Sequence, residues 1–67
     1  MSYAAEVEVL GEEGTWHGNG IRLATGAEAE QYARDLHSRW TLVLQHRVVP
    51  SNDAVNYSFH NYKLVAL

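Results

Sequence analysis

The sequence predicts an α+β domain, a small antiparallel sheet with one helix packed across it, in the order ββαβββ. Three observations carry that prediction. The first residues alternate in polarity with a period of two. The middle of the chain holds an amphipathic stretch behind a helix-capping signal. Three β-rich segments then follow between turn residues.

Tyr3, Ala5, Val7 and Val9 share one side of residues 3–10, with Ala4, Glu6 and Glu8 on the other, the pattern of a half-buried strand. Gly11-Glu12-Glu13-Gly14 reads as a turn whose glycines accept positive φ. Thr15-Trp16-His17 starts a second strand, Gly18-Asn19-Gly20 kinks it as a bulge, and Ile21-Arg22-Leu23 resumes it to complete a hairpin. Thr25-Gly26-Ala27-Glu28 is a capping box, in which the hydroxyl accepts from the Glu28 amide and the carboxylate reaches back. The helix behind it, over about 26–39, places Ala29, Tyr32, Ala33, Leu36 and Trp40 on one face. Glu30, Gln31, Arg34, Asp35, His37 and Ser38 face water. Residues 42–49 form a third strand that stops at Pro50, and Pro50-Ser51-Asn52-Asp53 is a loop. Val55–Phe59 and Tyr62–Leu67 then flank His60-Asn61 as a C-terminal hairpin.

Sixty-seven residues are expected to make one domain, 1–67. A chain of that size hides only about 60% of its unfolded surface, so the core is small. The chain has no cysteine, which removes a disulfide framework and a thiolate metal site as supports. Two Trp, four Tyr and one Phe supply large apolar surfaces instead. The apolar runs fall far short of the roughly 20 residues that span a bilayer, so no membrane partner is expected. The start of the chain has neither the basic residues nor the apolar run of a signal peptide. A cytoplasmic location is the expectation.

Catalysis and cofactors are not expected. His17, His37, His46 and His60 show no HxxxH or HxH spacing, which leaves no metal motif. Ser38, Ser51 and Ser58 lie outside any nucleophile turn. Gly18-Asn19-Gly20 lacks the following helix, later glycine and lysine of a phosphate loop. Trp16, Trp40, Tyr57, Phe59 and Tyr62 have no interleaved basic residues, so base stacking gives way to core packing, with Trp16 the one left for the surface. Direct nucleic-acid binding is not expected.

The acids are more suggestive. Residues 1–31 hold Glu6, Glu8, Glu12, Glu13, Glu28 and Glu30 against Arg22, a balance of −5. Residues 32–67 hold Asp35 and Asp53 against Arg34, Arg39, Arg47 and Lys63, a balance of +2, and the two sum to −3. Glu6 and Glu8 stand about 6.8 Å apart on one strand face. Glu12 and Glu13 continue the row, a sparse imitation of a DNA strand with a phosphate about every 3.4 Å. Such a ridge can dock on a basic surface of another protein, with Glu28 and Glu30 helping from the helix start. The alternative is a solvated strand face whose acids discourage edge pairing.

The strings Trp16-His17-Gly18-Asn19-Gly20-Ile21-Arg22-Leu23-Ala24-Thr25, Glu28-Ala29, Tyr32-Ala33-Arg34-Asp35-Leu36 and Arg39-Trp40-Thr41-Leu42-Val43 carry a resemblance. With Arg47-Val48-Val49 and Val55-Asn56-Tyr57, they resemble small proteins of bacteriophages and bacterial mobile elements. In size, acidity and layout the chain is similar to anti-CRISPR inhibitors of that setting, several of which occupy the DNA-binding surface of a type I surveillance complex. The resemblance implies a host protein complex as partner. A self-associating accessory module, two copies pairing through an exposed strand, is the alternative.

Overall fold

The computed structural model describes all residues, 1–67, and shows the expected α+β order. Strand β1 (Ser2–Val9) lies in the middle of a three-stranded antiparallel sheet, between β2 (His17–Gly18) and β3 (Val43–Ser51). Helix α1 (Gly26–Arg39) packs across this sheet. Strands β4 (Tyr57–His60) and β5 (Lys63–Ala66) form a separate two-stranded sheet rather than extending the first.

Alternation in β1 works as the sequence implies. Ala5, Val7 and Val9 are buried on the helix side, while Glu6 and Glu8 occupy the outer face. Gly11 and Gly14 take φ values of +91° and +88°, which lets the chain reverse tightly after β1. Strand β2 is shorter than expected, pairing with β1 only as Glu6↔Gly18 and Val7↔His17. The strand does not resume over residues 21–23. Leu23 alone returns to β1, through two backbone bonds with Tyr3 of 2.8 and 2.9 Å. Arg22 explains the interruption, because its amide donates to Asn56 Oδ1 and its carbonyl accepts from Asn56 and Tyr57.

The third strand continues through Pro50 instead of stopping there. Tyr3, opposite Pro50, spends its backbone groups on Leu23, on the other side of β1. The Tyr3–Pro50 pair therefore sits where β3 owes β1 no hydrogen bond, and the missing N–H points to the free edge. A bulge at Leu44 changes the register between Glu8↔Gln45 and Val9↔Val43.

Thr25 caps the helix through its Oγ1, which accepts from the Glu28 amide at 3.1 Å. The second half of the capping box is absent. Glu28 turns instead to Phe59, accepting its backbone N–H at 2.6 Å, and so ties β4 to the helix. Ala29, Tyr32 and Ala33 are buried, and Phe59 joins them with its ring 5.5 Å from that of Tyr32. Trp40 does not complete that face. The helix ends at Arg39, and an extended backbone at Trp40 (φ −106°, ψ 103°) leaves the indole 45% exposed. The last hairpin turns at Asn61-Tyr62, both with positive φ, one residue later than the sequence suggests. Tyr62, expected in the core, is 74% exposed at that turn.

Candidate functional site

The six acids read from the sequence are not one row. Glu6 sits opposite Arg47 in the β1–β3 register and pairs with its guanidinium at 2.7 Å. That guanidinium also lies 4.2 Å from the centre of the Trp16 ring. Trp16, expected at the surface, is thereby half-covered. Glu30 accepts from Arg34 at 3.1 Å and bonds His46 Nε2 at 2.9 Å. The His46 contact is the main reason its carboxyl is held below the usual 4.5, against a smaller opposing effect of burial. Glu28 is committed to Phe59.

The remaining three acids meet at the turn between β1 and β2. Glu8 accepts the Gly14 amide at 2.8 Å and the Gln45 side-chain amide at 2.7 Å. These two bonds, the Gly14 one first, hold its carboxyl below 4.5. Glu12 lies 3.0 Å from His17 Nε2, and Glu13 is exposed beside it. Four of the five cationic side chains have acidic partners: Arg22 with Asp53, Arg34 with Glu30, Arg39 with Asp35 and Arg47 with Glu6. Glu8, Glu12, Glu13 and Glu28 are left without a Lys or Arg, and Lys63 without an acid. Four charges less one is the whole net charge of −3. Three of those four acids are at the β1–β2 turn.

A cleft of about 290 Å³ opens beside this turn. Val7, Val9 and Leu36 form its floor, Trp40 closes one wall, and Glu12, His17 and Asn19 stand on the polar rim. His17 Nε2 is shielded from solvent yet makes no hydrogen bond, because the nearby Glu12 oxygen lies out of line with it. No basic side chain other than His17 lines the cleft. The hollow lies where β2 is short and the helix ends at Arg39, and Val7 and Val9 at its floor are themselves buried.

A second arrangement had no sequence signal. His37 of α1 and His46 of β3 bring their Nδ1 atoms to 2.8 Å, with ring centres 5.1 Å apart. An imidazole centre lies roughly 1.1 Å from its nitrogens, so these distances put both nitrogens almost on the line between rings, as in a hydrogen bond. A shared metal ion would draw the rings off that line. When both rings are neutral, the Glu30 carboxylate requires a proton on His46 Nε2, and His46 Nδ1 then accepts from His37 Nδ1–H. Glu30, His46 and His37 therefore link helix and sheet as one chain of hydrogen bonds. Spacing alone could not show it, since the residues pair across two elements.

Comparison with protein families, with curated proteins and with solved structures finds no match to this chain. No helix is long and apolar enough to cross a membrane.

Proposed function

We propose that the chain is a non-enzymatic inhibitor that binds a host protein complex in the cytoplasm. In this reading it resembles the anti-CRISPR proteins and blocks DNA recognition by a type I surveillance complex. One observation carries the reading: the net charge of −3 is concentrated at one turn, where Glu8, Glu12 and Glu13 have no Lys or Arg of their own. Uncompensated acids steer a protein toward a basic surface, and a surface built to hold DNA is basic. Glu12 and Glu13 lead, with Glu8 behind them. Glu6, Glu28 and Glu30 serve the fold through Arg47, Phe59 and His46.

The test is recovery from the lysate of a CRISPR-bearing host, at low and high salt, together with DNA binding by the recovered complex. Replacing Glu12 and Glu13 with Lys is expected to weaken capture about tenfold or more, since attraction becomes repulsion at both positions. Equal capture of the surveillance complex by wild type and variant, or undiminished DNA binding in its presence, overturns the reading.

Self-association is a second reading, favoured by β5. Every residue of this strand is exposed, its outer edge is unpaired, and Leu64, Val65 and the following Leu67 present apolar surface. Light scattering decides it: a dimer that Val65→Lys converts to monomer supports pairing through β5, and a monomer at every concentration excludes it.

A further inference from the structure

We propose that the cleft beside the β1–β2 turn receives one lysine or arginine side chain of a protein partner. Its aliphatic stem would lie on Val7, Val9 and Leu36, and its cation at Glu12. This rests on the protein-binding reading above and names the contact that would anchor it.

Size comes first. About 290 Å³ falls just under the roughly 300–1,000 Å³ usual for small-molecule sites, suited to one long side chain rather than a cofactor. The distribution of polarity comes next. An apolar floor with polar groups on one rim asks for an occupant that is apolar along its body and polar at its tip, as Lys and Arg are. Charge decides the sign of that tip. Glu12 stands on the rim with Glu13 beside it, neither has a Lys or Arg partner, and Trp40 offers an aromatic wall to a cation.

His17 adds an independent observation. Its Nε2 is buried without a hydrogen bond, 3.0 Å from the Glu12 carboxylate and out of line with it. A carboxylate takes only donors, and His17 gives Glu12 no aligned one, so the Glu12 oxygens stay open to a donor from a partner. A guanidinium or ammonium supplies several N–H groups at once.

The experiment is a methyl and indole NMR titration of the whole chain with N-acetyl-arginine methylamide, N-acetyl-lysine methylamide and the neutral N-acetyl-norleucine methylamide. Saturable shifts are expected at Val7, Val9, Leu36 and Trp40. The basic amides should bind about two- to fivefold more tightly than the neutral one, the ratio that a partly exposed ion pair gives. Glu12→Gln should remove that preference while leaving the norleucine shifts in place. Equal binding of all three amides, shifts confined to the outer face around Trp16 and Arg47, or no saturable shift overturns the proposal. Because the probes are single amino acids, this result is separate from recovery of the host complex. Recovery without cleft binding would refute the anchor and leave the inhibitor reading standing. The reverse would do the opposite.

Discussion

Replacing Glu28 with alanine tests whether one carboxylate fastens the last hairpin to the rest of the protein. Glu28 sits in the first turn of α1 and accepts the backbone N–H of Phe59 at 2.6 Å, a charge-assisted bond to a residue that is 3% exposed. Bonds of this kind contribute about 1.5–3 kcal/mol, and the amide left behind would be poorly placed to find water. A loss of about 2 kcal/mol is expected. For a chain of this length total stability is about 3–10 kcal/mol, so the substitution removes a sizeable share. The melting temperature should fall by about 8–16 °C. Glu28→Gln keeps a neutral acceptor and should cost about half as much. Thr25→Ala removes only the helix cap, about 1 kcal/mol, and leaves the hairpin attached. Urea unfolding gives the energies, and hydrogen exchange shows where they act. In Glu28→Ala the Phe59 amide and the β4–β5 amides should lose protection ahead of the β1–β3 ladder. A change within about 0.5 kcal/mol, with Phe59 protection intact, would refute the reasoning.

Two further predictions concern protons. Glu8 and Glu30 have carboxyls held below 4.5 in the folded chain. A group depressed in this way stabilises above its unfolded value and loses that contribution as pH falls through the folded value. Stability should therefore decline from about pH 4.5 downward, less steeply in a Glu8→Gln/Glu30→Gln double variant, and identical acid slopes in the two proteins would rule this out. The histidine chain is read directly by nitrogen NMR at a pH where both rings are neutral. His46 should be the Nε2–H tautomer and His37 the Nδ1–H tautomer, whereas Nε2–H on both rings would break the assignment. His46→Phe, which loses two bonds, should destabilise by about 2 kcal/mol and His37→Phe by about 1.

What the sequence made legible was local. Alternation over residues 3–9 marked β1, and Thr25 with the following three- and four-residue spacing marked α1. Local rules failed where another element claimed the same groups. The Glu28 carboxylate, assigned by the capping-box pattern to its own helix start, is taken by Phe59, 31 residues away. Arg22 reads as part of a β run, but Asn56 holds its amide and the strand does not resume. Pro50 reads as a stop, yet an edge strand with its N–H side free has no use for the missing donor. The division of the sheet in two also lay beyond periodicity, because β4 is positioned by Phe59 against Tyr32 and Ala33 rather than by a neighbouring strand.

The candidate site shows the same limit from the side of charge. A row of acids along β1 and its turn is visible in the sequence, but its availability to a partner depends on register. Glu6 faces Arg47 because the β1–β3 ladder places them opposite, and an attractive cross-strand pair then withdraws one acid from the row. Beyond Leu10, whose amide still bonds Leu42, the glycine turn carries the chain away from β3, so Glu12 and Glu13 have no strand opposite to supply a cation. The apolar hollow floored by the buried Val7 and Val9 opens beside the same turn, between β2 and the end of α1. One change of backbone course thus sets the uncompensated charge next to the apolar hollow. A substitution that extended β2 over the hollow would be expected to weaken a partner's hold even with every glutamate retained.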